Sequence, residues 1–202
     1  NRRAFEAQTF GVGLGFERQT NIIWQKKWTW SVGTELLASH ERDATKIANA
    51  PRQTFFIAAF PGALTYDGSN DLLDPASGFR LGFRVSPEIS RQSGTFTYVR
   101  TQLDGSYYVP AGDRVVLAGR VRLGSILGAG TQSIAPSRRF YSGGGGSVRG
   151  YGYQLIGPRD AANTPIGGRS LTEFALEARV RLGSFGIVPF LDGGNVYTSP
   201  TP

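Results

Sequence analysis

The sequence has no cysteine, no methionine and one histidine, and nowhere in its 202 residues do 18 apolar residues run together. Without cysteine there is neither a disulfide framework nor a thiolate metal site. Without a long apolar run there is no membrane-spanning helix, which needs about 20 such residues. A membrane β-barrel survives that exclusion, because its strands are only half apolar and each gives a weak signal. The single histidine, His40, stands beside Glu41 and Asp43 in a charged stretch. A lone imidazole without a nucleophile to activate is no catalytic constellation, so the chain reads as a non-enzyme. No catalytic, cofactor-binding or metal-ligating set is expected.

Glycine is what the chain has in plenty: 28 residues, about twice the ordinary share of roughly 7%. Aromatic residues reach 12%, and 22 Lys and Arg against 15 Asp and Glu leave a net charge of +7. Such a charge suits nucleic acid, anionic lipid or a pore whose charges compensate internally. The placement of the charges separates these.

Two-residue alternation runs through most of the chain. From Glu6 to Glu17, Phe10, Val12, Leu14 and Phe16 share a face with only glycine opposite. After a turn around Arg18–Asn21, a second strand from about Lys27 to Ser39 sets Trp28, Trp30, Val32, Thr34 and Leu36 against Thr29, Ser31, Gly33 and Glu35. Two tryptophans at one end fit an interfacial aromatic belt, and equally a soluble core. The segment from His40 to Arg52 reads as a solvent loop. Gln53 to Tyr66 is nearly all apolar, so alternation assigns it no facing, and Pro61-Gly62 marks an irregularity.

Beyond a turn at Asp67–Ser77, Phe79, Leu81, Phe83 and Val85 oppose Arg80, Gly82, Arg84 and Ser86. From Thr95, Val99, Thr101, Leu103 and Tyr107 oppose Arg100, Gln102, Asp104 and Ser106. Pro110-Ala111-Gly112-Asp113 then turns the chain into a hairpin, whose second strand sets Val115, Leu117, Val121 and Leu123 against Arg120 and Arg122. After a long glycine-rich segment at about 128–170, Phe174, Leu176, Ala178, Val180 and Leu182 oppose Glu173, Glu177, Arg179 and Arg181. A short turn at Gly183–Gly186 leads to a last strand, about Ile187 to Tyr197.

One face therefore carries Arg80, Arg84, Arg100, Arg120, Arg122, Arg179 and Arg181 with Asp104, Glu173 and Glu177 among them. A soluble β-sandwich would turn these charges to solvent and join its apolar faces in a core. A barrel with a mixed-charge lumen, and Phe, Leu, Val and Trp toward lipid, explains the pattern more economically. The basic residues alternate inside strands and form no exposed aromatic-studded stripe, which argues against nucleic acid. The expected fold class is all-β, a transmembrane antiparallel β-barrel with about eight strands present.

Arg138 to Tyr153 reads RRFYSGGGGSVRGYGY. The glycine cluster alone is what a flexible linker looks like, and no Gly-Lys-Ser/Thr follows to make it a phosphate loop. Arg149, set among Tyr141, Tyr151, Tyr153 and glycines, suits instead a loop tip that folds back and docks its guanidinium.

These residues carry a resemblance. Arg139-Phe140-Tyr141, Gly145-Gly146-Ser147-Val148-Arg149-Gly150-Tyr151, Leu155-Gly157-Pro158 and Ile166-Gly167-Gly168 resemble the C-terminal barrel of the BamA/TamA family of outer-membrane assembly proteins. Phe190-Leu191-Asp192-Gly193-Gly194 is similar to the family's F-x-D-x-G strand motif. Leu176-Glu177-Ala178-Arg179 fits the strand after its long sixth extracellular loop, and Asp67–Gly78 resembles a family periplasmic turn. The motifs cover about the last third of the chain, and the match looks nearer TamA than BamA.

The resemblance implies a 16-stranded barrel of the bacterial outer membrane, preceded by periplasmic POTRA domains, that inserts or secretes other β-barrel proteins. Its partners would be outer-membrane lipids, client β-barrel or autotransporter polypeptides, and a periplasm-spanning inner-membrane partner. The eight predicted strands would be the sixth to thirteenth, so the chain is expected to be a partial barrel domain over 1–202 without a POTRA module, its strands closing on themselves or leaning on further material. A passive porin and a two-partner secretion transporter are the competing readings. By the same resemblance, and by parity along the last strand, Arg149 is expected to reach through the lumen to Asp192, with Val188, Phe190 and Gly194 also facing inward. Gly193 and Gly194 would leave room for the loop, and Tyr151 would pack over the guanidinium.

Overall fold

The computed structural model describes residues 4–20, 26–43 and 51–202. The strands are β1 (Phe5–Arg18), β2 (Trp28–Asp43), β3 (Gln53–Ala59), β4 (Gly62–Asp67), β5 (Gly78–Arg91), β6 (Thr95–Pro110), β7 (Val115–Leu127), β8 (Ser170–Leu182), β9 (Phe185–Ile187) and β10 (Phe190–Tyr197). They form one antiparallel meander, each spanning strand paired with the next in sequence. The predicted turn at Arg18–Asn21 and loop from His40 to Arg52 fall partly on 21–25 and 44–50, outside the described residues.

Two spanning strands are interrupted without losing register. Ala59 faces Glu35 and Gly62 faces Val32 on β2, so no residue is inserted between β3 and β4. The break lies at Pro61, which has no N–H to give the ladder. Its carbonyl still accepts from the Gly33 N–H at 2.8 Å. Pro189 separates β9 from β10 in the same manner, with its carbonyl held by the Ala178 N–H at 3.1 Å. Residues 53–67 and 185–197 therefore each act as one strand.

The meander has a continuous apolar outer face. Phe10, Val12, Leu14 and Phe16 of β1 lie there, as do Leu117, Val121 and Leu123 of β7 and Leu176 of β8, all exposed. At the short-turn end this face carries a row of aromatic rings. Trp28 lies 4.9 Å from Tyr66, and Tyr66 lies 5.2 Å from Phe79, whose cross-strand partner is Tyr107. Such a row marks a membrane–water interface. The facing of β3 is now fixed: Phe55, Ile57 and Ala59 are buried inward and Phe56 is exposed outward. No helix among the described residues is long and apolar enough to cross a membrane.

Two expectations are corrected. His40 to Asp43 belong to β2, paired with Phe5–Gln8 of β1, rather than to a loop; polar residues on both faces hid the strand's continuation. Among the described residues the eight strands do not close on themselves, since β1 pairs only with β2 and β10 only with β8. An eight-stranded closed barrel has an interior just wide enough for side chains, whereas here the concave side holds a whole loop. That loop, residues 128–169, is not a linker. It contains two 3-10 turns, Thr131–Ser133 and Pro136–Arg138, and three internal bridges, Phe140 with Gly168, Ser142 with Ile156 and Arg159 with Pro165.

Candidate functional site

The loop enters the concave side over β7. Gly124 makes the entry possible, because a Cβ there would stand 2.6 Å from the Phe140 ring. Phe140 packs in a buried cluster with Tyr98, Ile126, Ile134, Leu171 and Val196. The Arg100 guanidinium lies 4.5 Å from its ring centroid, within cation–π range. The path then reverses through Gly143 and Gly144, at φ +106° and +105°, a region closed to most side chains.

Below this reversal the loop is fastened to the inner faces of β7 and β8. Glu173 is 1% exposed and accepts from the hydroxyl of Ser142 at 2.7 Å, from that of Ser147, and from Arg122 at 3.2 Å. Arg122 also reaches Asp104 at 2.7 Å. Arg120 donates to the loop carbonyls of Gly146 at 3.1 Å and Ser147 at 2.7 Å. Val148 is buried against Gly194, where a Cβ would come within 3.2 Å of its Cγ2.

Arg149 is the tip of the docked segment. Its Nε donates to Asp192 Oδ2 at 2.7 Å, its Nη2 to Oδ1 at 2.7 Å, and its backbone N–H to Oδ2 at 2.9 Å. The remaining Nη1 reaches Glu177 Oε2 at 3.2 Å. One planar fork thus takes both oxygens of one carboxylate and still serves a second, which a lysine ammonium cannot reproduce. The Asp192 side chain is 1% exposed and that of Arg149 28%, so the carboxylate is covered while the cation keeps some contact with the lumen. Gly150 follows at φ +86°.

The other singled-out residues divide by position. Tyr151 does not cover the guanidinium: it is 61% exposed, because the turn at Gly150 points it away. Phe190 takes that place, its ring centroid 3.8 Å from the Arg149 guanidinium carbon. Gly194 leaves room for the loop, but Gly193 faces outward, where a Cβ would meet the Phe174 ring at 2.5 Å. Arg179 buttresses Glu177 at 2.8 Å and lies over Tyr108 at 5.5 Å. Arg181 is remote from the loop tip and pairs with Asp74 of the β4–β5 turn at 2.5 Å.

Sequence reading missed the roles of Ser142 and Ser147, since hydroxyls in a glycine-rich stretch carry no periodic signal, and that of Gly124, a glycine inside β7 whose purpose shows only once Phe140 is in place. Beneath the loop tip lies a cavity of about 240 Å³ lined by Arg120, Arg149, Arg179, Tyr108, Ser106 and Glu177. No cluster of metal-ligating residues occurs among the described residues.

Residues 1–202 match the family model of the Omp85 superfamily domain. Over 111 residues, 52% of this chain, the sequence is 33% identical to the outer membrane protein assembly factor BamA of Nitratidesulfovibrio vulgaris, and it covers 14% of that protein. The fold is similar to the crystal structure of BamA from Haemophilus ducreyi lacking POTRA domains 1-3, with a TM-score of 0.70 at 16% identity. That likeness covers 96% of this chain and 42% of the other.

Proposed function

This chain belongs to the Omp85 superfamily, and from that premise we propose that it is the loop-bearing part of a bacterial outer-membrane β-barrel that inserts or assembles other outer-membrane proteins. The observation that carries the reading is the three-point hold of Arg149 on Asp192. Conduction through a passive pore does not call for a loop tip whose arginine is locked on both oxygens of a covered carboxylate, whereas a machine that must keep a defined lumen while its wall admits a client does. The docked tip, Val148 to Tyr151 with Phe190, Asp192 and Gly194, is its positioning element. The charges Glu173, Glu177, Arg120 and Arg122 seat it, and Arg179 supports Glu177.

The partners under this reading are lipids against the apolar outer face, client β-barrel or autotransporter polypeptides, and a periplasm-spanning inner-membrane partner. The test is reconstitution of the full-length protein in liposomes with an unfolded β-barrel client. Folding of the client faster than in protein-free liposomes is expected. Unaccelerated folding, together with a large and steady conductance in planar bilayers, would favour the passive channel.

A further inference from the structure

The loop meets the opposite wall of the sheet as well. Glu41 on β2 and Glu88 on β5 are both 0% exposed, and a buried carboxylate is costly unless it is hydrogen-bonded or paired. Glu41 accepts from the backbone N–H of Ser137 at 2.8 Å and from its hydroxyl at 2.6 Å. Glu88 takes the Arg138 fork side-on, Nε at 2.9 Å and Nη2 on the other oxygen. Between them β3 presents Phe55, Ile57 and Ala59, which pack with Ala135 of the loop. An acid, an apolar floor and a second acid on three adjacent strands thus make a receptacle shaped to Ala135–Arg138. Pro136 at the start of the short 3-10 turn sets the backbone that presents Ser137 and Arg138 together.

We propose that Glu41 and Glu88 form a second docking socket, whose ligand is the chain's own Pro136–Arg138 segment, and that the loop is a strap held at both ends. One end sits on β2, β3 and β5. The other sits on β8 and β10 through Glu173, Glu177 and Asp192. In between, Phe140 crosses β6 and β7 beneath Arg100 and over Gly124. A sheet joined only through its strand ladder is free to flatten, because backbone hydrogen bonds constrain neighbours and not distant strands. Fastening strands on opposite flanks to one short segment fixes the curvature and hence the separation of β1 from β10. Arg138 and Glu88 are therefore positioning residues for the whole barrel wall, acting separately from Arg149.

The test uses full-length protein with Gln8→Cys and Asn195→Cys as its only cysteines, spin-labelled on the outer face of β1 and β10 for pulsed distance measurement. This segment has no native cysteine to interfere. Arg138→Ala is expected to shift the distance distribution to longer, broader values, with Arg138→Lys intermediate. In the Arg138→Ala protein trypsin should cut after Arg139 while the bond after Arg149 stays protected; in Arg149→Ala, protection after Arg139 should persist. Heat-modifiable gel mobility shows which variants are folded, and Glu41→Gln, which keeps the shape of the socket, gives a milder shift of the same sign if Arg138→Ala fails to fold. An unchanged distance distribution in folded Arg138→Ala or Glu41→Gln, or equal loss of protection at both arginines, would overturn the strap. Client folding does not enter these readouts, so the result stands apart from the assembly reading.

Discussion

Arg149 and Asp192 show why residue identity matters more than charge at the loop tip. Hydrogen bonds to charged groups contribute about 1.5–3 kcal/mol each, and a covered carboxylate stripped of its partner is worse off than either group in water. Because the Arg149 side chain is already 28% exposed, the loss of about 3–5 kcal/mol quoted for buried pairs is a ceiling, and the expected observable is loop release rather than unfolding. Arg149→Lys keeps the charge and loses the fork, so it is expected to raise tryptic cleavage after Arg159, a site both variants keep, nearly as much as Arg149→Ala. Facing is tested by a different pair. Leu176 is on the lipid side, where an arginine costs about 2–4 kcal/mol at the midplane, so Leu176→Arg should prevent the heat-modifiable gel shift of a folded barrel. Thr65 faces the lumen between Thr29 and Gly82, with Asp104 on the strand beyond, so Thr65→Arg should keep that shift. Ala175 would be a poor control despite its inward facing: it is paired with both Arg120 and Asp192, and an arginine there would compete with Arg149.

At the level of elements, the strands were legible because lipid and water impose opposite demands on alternate residues. Along Arg120–Leu123 of β7 and Glu173–Leu182 of β8 that alternation is clear, and their registers place Arg122 opposite Glu173; it gives way to apolar inward residues at Ile126 and Leu171, which pack under Phe140. It fails in β3, where Phe55 and Ile57 face the loop and Phe56 faces lipid, so both sides are apolar for different reasons. It also fails where proline or polar residues interrupt the pattern: Pro87 and His40 concealed the strand ends that carry Glu88 and Glu41. The loop's path was legible only through resemblance, since its course is set by long-range contacts that no local period encodes. Gly124→Val is expected to overpack Phe140 at a cost of about 1–3 kcal/mol and to expose the loop to trypsin while leaving the outer face intact.

The β4–β5 turn gives a pH-dependent prediction at the same scale. Asp71 accepts the backbone N–H groups of Asp74 and Leu73, each at 2.8 Å, and these hold its carboxyl below the usual aspartate value. A depressed folded value means the turn's stabilisation is full above the unfolded value near 3.8 and is lost as pH falls through the folded one. Amide exchange at Leu73 and Asp74, corrected for its intrinsic pH dependence, should therefore lose protection below about pH 4, and Asp71→Ala should show that loss at neutral pH.

For the molecule as a whole, curvature and interior filling go together. The sheet is too open to close on eight strands with its loop inside, and its inner face spends buried acids on holding that loop: Glu41, Glu88, Glu173 and Asp192. The barrel class was legible from alternation and charge, whereas the open edges were not, because edge pairing depends on how many strands surround the loop. The most direct measurement is a double-mutant cycle on Arg149 and Asp192 in the full-length protein, following accelerated client folding in liposomes and tryptic cleavage of the loop in parallel. Arg149→Ala and Asp192→Ala should each abolish most of the acceleration and release the loop, and the double variant should be little worse than either alone. Additive effects, or a loop that stays protected in both single variants, would contradict the docked loop as the basis of assembly.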